Sequence, residues 1–234
     1  MLVSNAIYMS SPINALIEGL YEARTTMADL KRRGDFGIGT FNDLDGELLM
    51  IDGIVYRQTS DGRCQIMPDD VCTPFAAVCF FHQHTEDRIG PVDYAGFNRV
   101  LAANMPSPNM FYALRIDGEF EFVRTRAVPK TENYTPLVEA VSRQQEHRFT
   151  GIRGSLIGYY TPSFMPSVNV PGFHFHFISD DRTSGGHLLE CALREGRLAM
   201  QFFYEMTLSL PKTLDYLSVD FTRDSASDLE RAEK

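Results

Sequence analysis

Residues 173–177 read Phe-His-Phe-His-Phe, and this strict alternation constrains the fold more than any other stretch of the chain. In a β-strand, successive side chains point to opposite faces, so His174 and His176 share one face while Phe173, Phe175 and Phe177 share the other. Three phenylalanines then fill a core behind two imidazoles. The following ISDDRTSGG has the Ser, Asp and Gly content of a tight connection, which brings His187 back on the next strand beside the pair. Three imidazoles can converge on one point. Three protein nitrogens with one position left open are the usual composition of a catalytic zinc site, whereas structural sites tend to be closed by four ligands. The alternative, on spacing alone, is that His174 and His176 are solvated strand residues and His187 bonds backbone in a turn.

A second pair, His82 and His84, has the same spacing and lies near Cys79 and Glu86 in the sequence. It has no third histidine nearby, and its flanks, HQHTEDRIG, read as the end of a strand entering an exposed loop. His147, in QQEHRF, reads as a surface residue of a helix. The four cysteines form no CxxC pair, and three of them sit in apolar or strand-like text, as buried structural thiols do.

The rest of the pattern predicts an α+β fold. Ser11 and Pro12 resemble the N-cap and first-turn proline of a helix carrying Ile13, Leu16, Ile17 and Leu20 at helical spacing. A shorter helix follows from Thr26 to Lys31 and stops at Gly34. FGIGTF, ELLMIDG, IVYRQT and CQIMP are short strand-like runs divided by NDLDG, DG and DGR, a β-meander. PFAAVCFF has the length of a buried strand, and YAGFNRVLAANM returns to helical spacing until PSPN breaks it. MFYALRIDG and EFEFVRTRAV predict a hairpin turning at Asp117-Gly118. TPLVEAVSRQQEHRFT predicts a helix capped by Thr135 with Pro136 in its first position. GIRGSLIGYYTP, GFHFHFISD, GHLLECALREG and RLAMQFFYEMTLSL predict an antiparallel sheet, and the polar tail SASDLERAEK a brief helix. We expect one unit of two closely packed subdomains sharing a site: a mixed α and β part with a mixed sheet over 1–150, and a mainly antiparallel β part over 151–234, with a few flanking helices.

A chain of 234 residues, 44% hydrophobic and 23% charged, can bury a sizeable core. Its formal net charge of -9 and its lack of a Lys/Arg-rich run argue against nucleic acid and anionic membranes as partners. An anionic substrate would need local positive charge from a metal ion or a placed arginine. The N-terminal MLVSNAIYMSSPINALIEGLYEAR has no basic segment followed by a continuous apolar core, and no apolar run reaches about 18 residues, so the expected location is the cytoplasm.

GDFGIGTFNDLDGELLMIDGIVYR (34–57) and FHFHFISDDRTSGGHLLE (173–190), with RTRAVP (124–129) and GIRGSLIGYYTPSFMPSVNVPGFH (151–174), closely resemble the acetolactate decarboxylase family. The likeness extends from about Met9 to the C-terminus. It implies a metal-dependent lyase that converts 2-acetolactate to acetoin and carbon dioxide, with a divalent ion, zinc, held by His174, His176 and His187. It also implies that Glu47 of the LDGE motif, Arg126 before the Val-Pro step, and a C-terminal glutamate, Glu233 or Glu230, line the same cavity. Thr40 of the GTF motif would sit beside them, and the resemblance suggests a homodimer.

Acetolactate is a β-keto acid, so loss of carbon dioxide leaves an electron pair that an adjacent carbonyl must accept. A metal on the ketone and neighbouring hydroxyl oxygen would supply that sink without an organic cofactor. The sequence also lacks a GxGxxG or GxxxxGK[ST] loop. Arg126 is expected to bind the substrate carboxylate through two parallel hydrogen bonds. Glu47 is assigned as proton donor to the enediolate and Glu233 as the group orienting the substrate hydroxyl, two roles that could be exchanged. Two rivals remain: a zinc hydrolase with a glutamate base, and a metal- or sugar-binding β-sheet module without turnover, which a fourth protein ligand closing the metal would favour.

Overall fold

The computed structural model describes residues 5–222 and 226–233. Its first half runs β1 (Ala6–Met9), α1 (Ile13–Ile17), β2 (Thr25–Thr26), α2 (Met27–Lys31), β3 (Phe36–Thr40), β4 (Glu47–Ile51), β5 (Ile54–Gln58), β6 (Cys64–Ile66), β7 (Cys72–Thr73), β8 (Ala76–Cys79), β9 (Thr85–Ile89) and α3 (Tyr94–Asn104). The second half runs β10 (Phe111–Ala127), α4 (Leu137–Val141), β11 (Gln145–Thr161), β12 (Gly172–Ser179), β13 (Gly185–Phe203), β14 (Glu205–Leu208), α5 (Leu214–Ser218) and α6 (Ala226–Glu233).

The strands form two principal sheets, as an α+β fold requires. A mixed seven-stranded sheet has the order β14-β1-β8-β3-β4-β5-β6, with β1 and β14 parallel and its other neighbours antiparallel. A five-stranded antiparallel sheet has the order β10-β11-β12-β13-β9, and it curls until β10 also pairs with β13. Closure removes two exposed edges and creates an interior. That interior is filled by Phe120, Phe175, Phe177, Leu188, Cys191 and Leu193, which pack together with Phe97 and Leu101 of α3. The phenylalanine face of β12 therefore looks inward, as the alternation predicts.

The outer face of the closed sheet packs on the seven-stranded sheet. Ile157, Tyr159 and Ile178 meet Phe36, Ile38 and Leu49 there. On the far side of the seven-stranded sheet, Met27 and Leu30 of α2 cover Leu48, Met50 and Val55. A capping box between Thr26 and Asp29 starts α2 where the sequence places it. A third cluster joins α1, α4 and α6 through Ile13, Leu16, Leu137, Ala140 and Leu229. The helices thus cap one end of the junction between the sheets.

Several expectations need correction. The predicted turn at Asp117-Gly118 does not exist, because β10 runs unbroken through it. Gly118 stands opposite Gly154 on β11 and Gly196 on β13. A Cβ on Gly118 would come 2.5 Å from the Glu195 carbonyl oxygen, so glycine permits a close approach here and makes no turn. GHLLECALREG and RLAMQFF are likewise one strand, β13. The helix expected over TPLVEAVSRQQEHRFT is confined to α4, with Pro136 as its N-cap. From Gln145 onward the chain pairs with Ala127 and its neighbours in β10, and an Arg124–Glu146 ion pair bridges the strands. Cross-strand pairing overrides local helical spacing there. His147 accordingly lies on β11, its Nε2 2.8 Å from the Ser60 carbonyl. Helix α1 starts after Pro12 and ends at Ile17, short of Leu20. Position 150 falls inside β11; the seven-stranded sheet draws on residues 6–79 and 205–208, the closed sheet on 85–203.

Among the described residues, no helix is long and apolar enough to cross a membrane. All four cysteines are free. Cys79 and Cys191 are buried, and burial pushes the Cys191 thiol up to about 12, which suits inert structural thiols.

Candidate active site

The strand register lines up the expected site. Across the closed sheet, Arg126 of β10 stands directly opposite His187 of β13, and His187 directly opposite His176 of β12. Residues directly opposite share a face, so one row carries a guanidinium and two imidazoles, with His174 two residues along β12 on the same side. The row depends on a β-bulge. Arg124 faces Glu190 but Thr125 faces Leu188, so Leu189 is passed over. Had the register of Arg124 and Glu190 continued without the bulge, Arg126 would stand opposite Leu188 and His187 would lose its neighbour. Gly186 precedes His187 with φ +149, and a Cβ there would lie 2.8 Å from the Arg126 carbonyl oxygen. The Gly-Gly step thus lets the two chains close up beside the site.

The imidazoles are buried, with 9%, 1% and 4% of His174, His176 and His187 exposed. The pKa of His174 is lowered to about 3, first by burial and then by the charge of Arg126. Burial likewise holds His176 well below its ordinary value, with the neighbouring His174 and Arg126 acting in the same direction. Neutral imidazoles keep a lone pair for a metal. The Nδ1 of His176 lies 2.9 Å from the Leu48 carbonyl oxygen. A carbonyl only accepts, so Nδ1 carries the proton and Nε2 is the free ligand atom. His174 Nε2 and His187 Nδ1 are 3.0 Å apart.

These distances fit a metal ion. The potential ligand atoms of the three histidines all lie within 4.8 Å of one another. Nitrogens bound tetrahedrally at about 2.0–2.1 Å stand roughly 3.3 Å apart, close to the observed separation of His174 and His187. Neutral, buried, nitrogen-only donors are the chemistry that zinc and other first-row ions accept.

Glu47 opens β4 opposite Thr40 of β3. Its Oε2 lies 3.6 Å from His176 Nε2 and its Oε1 lies 3.9 Å from Arg126 Nη1. Thr40 is buried, and its Oγ1 donates to the Gly46 carbonyl at 2.9 Å, which ties down the turn from which Glu47 emerges. Arg126 donates from Nη2 to the Ala232 carbonyl of α6 at 2.7 Å. Its buried Nε has no hydrogen-bond acceptor among the described residues. The backbones of Glu230 and Glu233 belong to α6, and their side chains lie outside the described ones.

Glu47, Thr40, Arg126 and the three histidines line one cavity of about 50 Å³. The sequence reading missed the opposing wall, formed by Ile13, Leu16, Leu137, Val141 and Ala232. The only available signal was spacing: 13 and 16, and 137 and 141, lie three and four residues apart, and such pairs share a helix face. The backbone carbonyl of Leu48 was invisible to any reading of side chains. The rival pair His82 and His84 is exposed, and the His84 ring rests on Phe202.

A family model described as alpha-acetolactate decarboxylase matches residues 7–223. An alpha-acetolactate decarboxylase of Brevibacillus brevis is 39% identical over 231 residues, 98% of this chain and 81% of its own length. One from Methanosarcina mazei is 37% identical over 233 residues, 99% of this chain and 81% of its own. The crystal structure of alpha-acetolactate decarboxylase from Bacillus subtilis strain 168 matches with a TM-score of 0.95 at 36% identity, covering 97% of this chain and 99% of that one. Since the match in sequence and the match in fold both span nearly the whole molecule, the chain belongs to the alpha-acetolactate decarboxylase family.

Proposed function

We propose that the protein is a carboxy-lyase that decarboxylates 2-acetolactate to acetoin and carbon dioxide at the cavity between the sheets. Family membership supports the reaction. The observation that carries the site is the single row of Arg126, His187 and His176, flanked by His174 and Glu47.

His174, His176 and His187 would hold a divalent ion, in our reading zinc. When bound, that ion supplies the electron sink a β-keto acid needs as carbon dioxide departs. Arg126 binds the substrate carboxylate. Its buried Nε–H, which has no acceptor among the described residues, carries a desolvation cost of about 1–3 kcal/mol that a substrate carboxylate removes. The hydrogen bond from Nη2 to Ala232 holds the guanidinium plane while Nε stays available. Glu47 delivers a proton to the carbon that has lost the carboxylate, from a position beside both Arg126 and His176. Glu233, or Glu230, orients the substrate hydroxyl from α6. Thr40 fixes the turn before Glu47. The buried walls exclude water that would otherwise protonate the intermediate from either face.

A cytoplasmic homodimer belongs to the same reading. The free cysteines suit a reducing compartment, and light scattering measures the dimer directly. The deciding experiment is elemental analysis of the purified protein together with acetoin formation from acetolactate, before and after chelation. Stoichiometric zinc and chelator-sensitive acetoin formation support the proposal; full acetoin formation by metal-free protein overturns it.

A further inference from the structure

The two walls of the cavity differ in chemistry. Among the described side chains that line it, every charged or imidazole group stands on a strand: Glu47 on β4, Arg126 on β10, and the histidines on β12 and β13. The described side chains that the helices contribute are all hydrocarbon, from α1, α4 and α6. If the decarboxylase reading holds, the carboxylate and ketone of the substrate are claimed by the strand wall and its hydroxyl by a glutamate of α6. What remains of the substrate is alkyl: the substituent on the carbinol carbon and the methyl of the acetyl group. These groups meet the helices.

Within the helical wall, exposure separates the residues. Ile13 and Ala232 are each 2% exposed and Leu137 is 6%, whereas Leu16 and Val141 reach 8% and 9%. Leu16 and Val141 are therefore the least buried of the helical residues that line the cavity, and a lengthened alkyl chain is expected to press on the wall where it is least enclosed. Both sit on helices of five residues, held by side-chain packing against α6 and each other. Neither takes part in the ladder that fixes the histidines.

Resting on the decarboxylase reading, we propose that Leu16 and Val141 are specificity-determining residues that set the largest substituent accepted on the carbinol carbon of a 2-hydroxy-3-keto acid. The physical basis is the value of a methylene in an apolar pocket, about 10- to 200-fold in relative kcat/KM.

The test compares acetolactate with its homologues carrying ethyl and propyl in place of the carbinol methyl, using the zinc-loaded enzyme. In Leu16→Ala and in Val141→Ala, the kcat/KM ratio of the propyl homologue to acetolactate should rise about tenfold or more, chiefly through KM. In Val141→Phe, which keeps the wall filled should either alanine variant fail to fold, the ratio of the ethyl homologue to acetolactate should fall by a similar factor. Zinc content and thermal unfolding establish that each variant is folded and loaded. Ratios that stay at the wild-type value, or homologues that all change by one common factor, overturn the inference while leaving the decarboxylase reading intact. If the wild-type chain forms no acetoin from acetolactate, the decarboxylase reading fails and this inference falls with it.

Discussion

On one side of the cavity, the histidines and Arg126 stand on strands of 8, 19 and 17 residues, each bonded into a sheet that closes on itself. On the other side, Leu16, Leu137 and Val141 stand on helices of five residues, too short to persist without tertiary packing. The strand wall owes its geometry to backbone hydrogen bonds that fix register, and register fixes which side chains meet. The helical wall owes its shape to side-chain volume alone. Chemistry that tolerates little displacement is on the rigid wall, and a surface that only has to fit hydrocarbon is on the adaptable one.

Changes to the strand wall should alter rate for every substrate alike. The largest effect is expected for His176→Ala, which removes one of the three proposed metal ligands. Stoichiometric zinc and acetoin formation should both disappear, with a loss of at least about a thousandfold, measured by elemental analysis and acetoin assay. Retained zinc and turnover would dissolve the distinction between the walls. Arg126→Lys should keep the zinc but lower kcat/KM by about 10²- to 10³-fold, because an ammonium cannot reproduce a two-pronged contact. Unchanged kinetics would remove Arg126 from the site.

Phe177→Ala tests what lies behind that wall. The ring is fully buried in the closed sheet, two residues of backbone from Phe175 and next to His176. Its loss should destabilise the fold by about 3–5 kcal/mol, read from denaturant unfolding of the metal-free protein. Thr40→Val should have the smallest effect. It removes the bond to the Gly46 carbonyl and should lower stability by about 1 kcal/mol in the same measurement.

The same contrast explains what could be read from the sequence. The Phe-His alternation of β12 shows on its face which residues are core and which are site, because a period of two leaves no ambiguity. His187 follows from the turn chemistry before it. The cavity also gathers Glu47, Thr40 and Arg126, which only family resemblance picked out, since a charged residue near a turn or on a long strand has no distinguishing pattern. In particular, no local spacing announces that Leu189 is passed over and that Arg126 therefore meets His187. The helical wall was legible as amphipathic spacing at Ile13 and Leu16, but the pattern does not say that this apolar face borders a cavity. At α4 the local signal overran the element, because residues from Gln145 onward are claimed by pairing with β10.

The unpaired Leu189 also sets a condition on moving this chemistry elsewhere. A designer who copied the sequences of β10 and β13 onto strands held in the register of Arg124 and Glu190 throughout would reproduce the residues and lose the site, with the arginine delivered one position out of step. The transferable unit is a spacing defect in β13 together with the side chains it aligns.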